Sequence, residues 1–423
     1  MSNTVEKIKK KNMCISCGIC APVCPTKCIS YNREGGLFVP EINKEKCIEC
    51  GICLDVCPGK KSREYAGKPE EVWNGQCLGA YSACTNNKNR LRNAVSGGIA
   101  TELVFKLLEE NKYDGAFVVT DNLYYESMAE SNIVLNGVSL DNSQKSKYLP
   151  VMHSKAIEYL LKNREKRIIL IGVSCAVQGF LNVIDRFKLN RDNYFIIGLF
   201  CDRTMNMNVM EYFSNTLCPK TDVAAFHFRS KESGGWPGGI KIIKNNQDKM
   251  FFSNKKRMEV KDFFQPERCL YCIDKLNKFA DISIGDNYTN KFETGEGSSS
   301  VIIRSKRAEE IWNNYSHCFS MQCSSLKEIS NSQCSENKIR NYYYGKIKEK
   351  ELDWKINNIK LEKPGKEYLK KINNEYRKRM KLLCYGKYYS DNKGKIRTIV
   401  FLHNLENIVR AGGKYLLKKL GIR

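Results

Sequence analysis

Two runs of cysteines near the amino terminus share one spacing. In each run, three cysteines are separated by two residues and a fourth follows after three more, directly before a proline. The runs are Cys14, Cys17, Cys20 and Cys24, then Cys47, Cys50, Cys53 and Cys57. Thiolates in this frame typically bind two 4Fe–4S clusters, with the fourth cysteine of each run ligating the other cluster. The frame therefore predicts two electron-carrying clusters.

The crossed pattern is that of a two-cluster ferredoxin, and it fixes the expected ligand sets. One cluster takes Cys14, Cys17, Cys20 and Cys57, and the other takes Cys47, Cys50, Cys53 and Cys24. Gly18 and Gly51 would let the backbone fold closely around each cluster. Paired structural zinc sites are the alternative, but zinc does not require three evenly spaced cysteines before Cys-Pro. Cys28 falls outside the frame and is predicted to be a small buried apolar residue.

A second group of cysteines lies beside predicted strands further along the chain. Cys175 follows one strand, Cys201 ends the next, and the pair Cys269 and Cys272 precedes a strand at 280–286. Because carboxyl ends of neighbouring strands form the crevice of an open α/β sheet, these four thiols could share a third cluster. A structural zinc at the C-x2-C pair, with the single cysteines packing in the core, is the alternative.

The elements that would position these residues alternate between helix and strand. A chain of 423 residues favours two or three folding units. A helix with an apolar side from Ile99 to Leu108 follows Ser96, which is placed to cap it. Strands are predicted at 115–120, 167–172, 194–200, 225–229 and 239–244. This order predicts a mixed α/β sheet after a Lys-, Gly- and Pro-rich linker at 59–70.

Six features, in order over roughly residues 75 to 305, resemble the coenzyme F420 hydrogenase/dehydrogenase beta-subunit family with a fused ferredoxin. They are Ser96-Gly97-Gly98, Ser146-Lys147-Tyr148, the loop Gly172 to Gly179, Gly-Leu-x-Cys at Cys201, Phe228-Arg229 with Gly235-Trp236, and Cys269-x2-Cys272 leading to Ala280 to Asp286.

The resemblance implies a flavoprotein, usually with FAD, that has its own 4Fe–4S cluster on Cys175, Cys201, Cys269 and Cys272. Such a protein passes electrons between clusters and a hydride acceptor such as coenzyme F420. Ser96, Gly97 and Gly98 would approach the flavin, where a helix amino terminus suits an anion. Lys147 would contact its phosphate or ring. The alternative is a capped helix and a solvated lysine.

The sequence also departs from the family pattern. Val173-Ser174-Cys175-Ala176 replaces an expected Thr-Pro-Cys-Gln, and Asp202 replaces a commoner His after Cys201. These changes lie beside presumed ligands and leave the acceptor open. The Gly-Trp-Pro-Gly segment at Gly235 to Gly238 is similar to bacterial relatives of surface-polysaccharide gene clusters, which implies a different physiological substrate.

Positive charge is concentrated in the last part of the chain. Residues 337–423 contain 24 Lys and Arg against 8 Asp and Glu, a net +16 of the total +24. Helices are predicted at 362–383 and 396–420. A basic amphipathic helix can bind an anionic membrane surface or an acidic partner, although most charged faces are simply solvated. No nucleic-acid recognition motif is present. Deletion of 337–423 is then expected to leave the cofactors bound.

These observations predict an α+β ferredoxin domain at 1–65, a mixed-sheet α/β flavoprotein module at 66–335 and a basic helical tail at 336–423. With no long apolar run and a polar segment from Met1 to Lys11, we expect a cytoplasmic protein, peripheral at the inner membrane surface. The predicted function is an iron–sulfur flavoprotein oxidoreductase with a ferredoxin or other redox partner. A non-catalytic electron-transfer subunit that feeds a partner enzyme is the alternative.

Overall fold

A computed structural model describes residues 3–60, 71–120, 129–135, 140–333, 336–352 and 364–419, so most of the predicted linker lies outside the described residues. The described helices are α1 (Glu6–Lys10), α2 (Ile52–Asp55), α3 (Lys88–Asn93), α4 (Ile99–Glu109), α5 (Ser154–Lys162), α6 (Ser174–Arg186), α7 (Asn208–Thr216), α8 (Lys255–Val260), α9 (Lys306–Asn314), α10 (Leu326–Ser332), α11 (Glu336–Leu352), α12 (Lys366–Lys387) and α13 (Tyr389–Lys419). None of them is both long and apolar enough to span a bilayer.

Fourteen described strands form one large sheet, one small sheet and one hairpin. They are β1 (Ile29–Glu34), β2 (Leu37–Ile42), β3 (Gly79–Thr85), β4 (Gly115–Val119), β5 (Ala129–Val134), β6 (Val151–Met152), β7 (Ile168–Val173), β8 (Tyr194–Leu199), β9 (Val223–Ser230), β10 (Gly239–Lys244), β11 (Lys249–Phe252), β12 (Ile282–Asp286), β13 (Ser299–Ile303) and β14 (Phe319–Cys323). The large sheet has the order β14-β3-β13-β12-β8-β7-β4-β5-β6, and β11-β10-β9 forms the small one. The predicted mixed α/β fold is confirmed.

The centre of the large sheet is parallel and mostly apolar, as expected for strands covered on both faces. Strands β7, β8 and β12 run in the same direction, with Val173 paired to Leu199 and Leu199 paired to Ile284. Their carboxyl ends therefore meet at one edge of the sheet.

The amino-terminal cysteine runs flank the antiparallel hairpin β1–β2. This unit does not stand apart, because Val5, Ile19 and Val56 share a buried core with Val177 and Phe180 of α6. Helix α6 thus joins the cysteine-rich unit to the central sheet.

The basic carboxyl-terminal helices are part of the core. Ile372 and Tyr376 of α12 are buried against Tyr271, and Ile396 and Val400 of α13 are buried in a core that includes Phe263. One side of each helix is therefore used for packing against the central module.

Candidate functional site

One cavity in the amino-terminal unit is lined by the first predicted ligand set. This inner set consists of Cys14, Cys17, Cys20 and Cys57. Gly18, at φ +71°, forms part of the wall, and a Cβ there would lie 2.4 Å from Cγ of Met152. Only glycine therefore fits both the backbone and the contact with the central module.

The chemistry of the inner set suits an anionic metal cluster. Burial raises the pKa values of the Cys14 and Cys57 thiols to about 12, so thiolates here require metal cations. The Ser16 amide donates to Sγ of Cys14 over 3.5 Å. Four thiols with backbone N–H groups aimed at sulfur form a donor set that fits a 4Fe–4S cluster.

A second cavity is lined by the other predicted set. This outer set consists of Cys24, Cys47, Cys50 and Cys53. Cys50 is exposed, so the outer set lies nearer to solvent. Cys28 also lines the cavity and is buried as expected, yet its sulfur lies 3.4 Å from that of Cys24.

The third predicted group comes together at the carboxyl edge of the parallel strands. Cys175 lies in the first turn of α6, and Cys201 lies two residues beyond β8, so they follow the paired residues Val173 and Leu199. The third set comprises Cys175, Cys201, Cys269 and Cys272. Burial, and after it the neighbouring thiols of the set, raise the pKa values of Cys175, Cys201 and Cys269.

Hydrogen bonds tie the loop that carries the last two cysteines to these strand ends. The Ser174 hydroxyl donates to the Asp274 carbonyl over 2.6 Å, and the Asn277 amide donates to the Gly172 carbonyl over 2.8 Å. The Cys201 amide donates to the Lys275 carbonyl over 3.0 Å. The position of the Cys269–Cys272 loop is therefore set by the sheet.

Electrostatics around the third set favour a negatively charged group. Burial raises the pKa of Cys175 to about 12 and that of Cys269 to about 11, while the nearby guanidinium groups of Arg203 and Arg268 act in the opposite direction. Four thiols among buried cations form a donor set that fits a 4Fe–4S cluster. Within the part of the chain that the structure describes, no three His, Cys, Asp or Glu side chains are grouped closely enough to hold a single metal ion.

The glycine-opened helix α4 is built differently from the prediction. The expected Ser96 cap is wrong, because its hydroxyl donates to the Ser298 carbonyl over 2.5 Å and Gly98 occupies the N-cap at φ +73°. A Cβ on Gly97 would lie 2.3 Å from the Ala83 carbonyl oxygen. Close packing against β3 thus already requires glycine at position 97.

Lys147 directs its ammonium group to backbone, donating to the carbonyls of Ser143 and Gln144 over 3.0 and 2.5 Å. The neighbouring Tyr148 instead contacts two arginines, and we call Tyr148, Arg229 and Arg257 the Tyr148 cluster. The Arg257 guanidinium stacks over the Tyr148 ring at 4.2 Å, and Nη1 of Arg229 lies 3.4 Å from the Tyr148 hydroxyl.

The Tyr148 cluster lies directly beside the loop that contains Ser96. Arg229 pairs with Asp286 at 2.6 Å, and Lys231 donates to the Ser96 carbonyl over 2.9 Å. Among the described residues, Nε of Arg257 and Nε1 of Trp236 are buried donors with no hydrogen-bond partner. Aromatic rings, cations and orphaned donors beside a glycine-rich helix start fit a planar, phosphate-bearing cofactor such as a flavin.

Comparison with known proteins agrees with this arrangement. Residues 80–158 match the amino-terminal part, and residues 165–329 the carboxyl-terminal part, of the coenzyme F420 hydrogenase/dehydrogenase beta subunit. The chain belongs to this beta-subunit family. Residues 13–61 match a 4Fe–4S dicluster domain, so this family member is an iron–sulfur protein of an oxidoreductase family.

Its relatives include two proteins of Methanocaldococcus jannaschii and one of Nostoc. An uncharacterized protein of Methanocaldococcus jannaschii is 26% identical over 74% of this chain and 91% of its own length. The coenzyme F420-dependent sulfite reductase of that organism is 25% identical over 73% of this chain, which spans only 47% of the enzyme. An uncharacterized Nostoc protein is 21% identical, over 65% of this chain and 64% of its own length.

A solved structure shares the fold of this beta-subunit family member. One chain of the F420-reducing NiFe hydrogenase complex from Methanosarcina barkeri aligns with a TM-score of 0.51 and 18% identity. The alignment covers 70% of this chain and 99% of that chain, and at this identity the likeness is one of fold.

In this family member, Thr204 links the third set to the Tyr148 cluster. Its backbone N–H lowers the pKa of the Cys269 thiol, and its hydroxyl donates to the Tyr148 carbonyl over 2.9 Å. Sequence reasoning assigned no role to Thr204, Tyr148, Arg229 or Arg257. Tyr148 and Arg229 stood within the motifs that carried the resemblance, whereas Arg257 and Thr204 carried no sequence signal.

Proposed function

We propose that this chain is an iron–sulfur flavoprotein oxidoreductase with three 4Fe–4S clusters and one flavin. The observation that carries the proposal is the continuity of the candidate sites. The inner set contacts α6, the first turn of α6 carries Cys175, and Thr204 connects the third set to the Tyr148 cluster. When bound, the clusters carry single electrons and the flavin pairs them for hydride chemistry.

Each thiol set is assigned one cluster in this proposal. The inner, outer and third sets would each provide four thiolates, and the surrounding backbone N–H groups and cations would stabilise the negative charge. Support comes from the two separate cavities and from the buried position of the third set among Arg203 and Arg268.

The flavin is assigned to the space beside Ser96, Gly97 and Gly98. Arg257 and Trp236 would supply hydrogen bonds, and Tyr148 a stacking surface. Arg229 would hold Asp286 in position through their ion pair. Lys147 would support the turn before Tyr148 through its bonds to backbone carbonyls rather than contact the flavin.

The acceptor proposed is a hydride carrier of the coenzyme F420 type, and the donor is a ferredoxin or another redox protein. One relative is named for its dependence on coenzyme F420, which supports this class of acceptor. The surface-polysaccharide role implied by the Gly235 to Gly238 segment stays a prediction.

The decisive experiment is an iron and flavin count on anaerobically purified protein. Three clusters predict about twelve irons per chain, with one flavin, whereas zinc in the third set would leave about eight irons and add one zinc. Cys272→Ser is expected to remove up to about four irons, while Cys384→Ser, at an exposed cysteine of α12, should remove none. About eight irons in protein with full ferredoxin clusters would refute the third cluster.

A non-catalytic electron-transfer subunit is the second candidate. It is favoured by the structural neighbour, which is one chain of a multi-subunit hydrogenase complex. Turnover of a soluble hydride acceptor by the isolated chain would support the enzyme, and flavin-loaded protein without such turnover would support the subunit.

A further inference from the structure

Helix α13 has two apolar faces with different surroundings. One face, with Ile396 and Val400, is buried in the core of the central module. The other carries five large apolar side chains that are 48–68% exposed; we call Phe401, Leu402, Leu405, Ile408 and Val409 the apolar stripe. Their spacing places them along one side of the helix.

A continuous apolar surface of this kind on a protein marks an interaction site. Core packing does not account for it, because the same helix already buries its opposite side. Polar contacts from Asn404 to Glu259 and from His403 to Asp262 hold that opposite side against the module. The orientation of the stripe toward solvent is therefore fixed.

Charge identifies the kind of partner. Residues 389–423 contain eight Lys and Arg against two Asp and Glu. One of the two acids, Glu406, is paired with Lys378 at 2.5 Å, so it offers little to an incoming cation. A second copy of the chain would bring the same positive charge against this surface and be repelled. An anionic lipid surface satisfies both the apolar stripe and the charge.

We propose that α13 lies in the plane of an anionic membrane, with the apolar stripe inserted between lipid headgroups. The helix would then fix the whole chain at the bilayer surface. Because the proposal rests on α13 alone, it does not depend on the identity of the flavin or of its acceptor.

Flotation of the full chain with vesicles tests this proposal. We expect binding to vesicles of phosphatidylcholine with phosphatidylglycerol, weaker binding to phosphatidylcholine alone, and loss of the difference at high salt. The triple variant Phe401→Gln, Leu405→Gln, Ile408→Gln should bind anionic vesicles about a hundredfold more weakly. The double variant Leu135→Gln, Phe251→Gln removes exposed apolar groups elsewhere and should bind normally.

Iron content and light scattering complete the experiment. Unchanged iron in the triple variant would show that its lost binding is not a failure to fold. The proposal is overturned if the full chain ignores anionic vesicles, or if the triple variant binds them as tightly as the unchanged protein. A dimer that the triple variant abolishes, without any lipid binding, would instead make the stripe an interface between copies.

Discussion

Tyr31 places its hydroxyl between a backbone amide and a sulfur of the inner set. The Ala21 amide donates to the hydroxyl oxygen over 3.3 Å, and Sγ of Cys20 lies 3.5 Å away. Burial and the nearby thiol raise the pKa of Tyr31, so the phenol keeps its proton. It can therefore donate that proton to a Cys20 thiolate.

Tyr31→Phe is expected to lower the reduction potential of one ferredoxin cluster by about 40 mV. The hydrogen bond that this variant loses stabilises the more negative, reduced cluster by about 1 kcal/mol. For a one-electron couple, a tenfold change in the equilibrium constant corresponds to about 59 mV, so the loss amounts to about 40 mV. Protein-film voltammetry measures the shift. The exposed Tyr388→Phe is the control, and equal potentials in both variants would contradict the role of Tyr31.

Arg257 offers a sharper test of the flavin site than Gly97, whose replacement would push against the Ala83 carbonyl. Arg257→Met should weaken flavin binding about tenfold or more, since a charged hydrogen bond is worth about 1.5–3 kcal/mol. Iron content should not change. Lys256→Met, at an exposed neighbour on α8, is the control for fluorescence titration of apoprotein with FAD. Equal affinities for FAD would exclude Arg257 from the site.

At the scale of elements, the carboxyl-terminal helices reach the third set. Asn341 of α11 donates to the Cys272 carbonyl over 2.8 Å, and the hydroxyl of Tyr376 on α12 lies 3.0 Å from that of Tyr271. Lys338 also donates to Asn74 over 2.7 Å. This packing reverses the expectation, drawn from charge alone, that the tail can be deleted without loss of cofactors.

Deletion of residues 337–423 should therefore lower the iron content from about twelve toward about eight per chain, because the Cys269–Cys272 loop loses its support. Deletion of residues 410–423 alone should leave the iron unchanged. Iron assays and electron paramagnetic resonance of both truncated proteins provide the measurement. Twelve irons in the longer deletion would show that the helices do not support the site.

The sequence predicted those elements that a local pattern of residues specifies. Runs of apolar residues located β8 and β10, and the order of strands brought Cys175 and Cys201 to one edge. Contacts between distant elements were not predictable, because Arg257 and Thr204 lie in polar segments without periodicity. The packing of α12 was hidden because Ile372 stands between two lysines and two asparagines. Charge composition described the surface of the tail but not its buried side.

At the scale of the whole molecule, a close contact joins the ferredoxin domain to α6. Gly179 faces Ile19, and a Cβ at position 179 would lie 2.3 Å from Cδ1 of Ile19 and 3.6 Å from the Pro58 ring. The two parts can approach this closely only because residue 179 has no side chain. We propose that electrons passing from the inner set to the third set cross this contact.

Gly179→Val should keep all irons but slow the passage of electrons from the ferredoxin domain to the flavin, because the valine separates Ile19 from α6. Stopped-flow reduction by a protein donor measures this rate. Gly394→Ala adds a methyl group where nothing lies within 4 Å and should not change it. An unaltered rate in Gly179→Val would place the route elsewhere.

Because the cysteines differ in exposure, the clusters they hold should differ in sensitivity to oxygen. Cys50 is open to solvent, whereas Cys20 of the inner set is buried, and oxidants attack accessible sulfur and iron first. The cluster of the outer set should therefore be damaged before that of the inner set. Exposed to oxygen, the protein is expected to release about a third of its iron in a fast phase and the rest slowly, which timed iron release with a chelator would detect. Brief aeration would leave a chain whose deeper centres are intact but whose solvent-facing centre is lost.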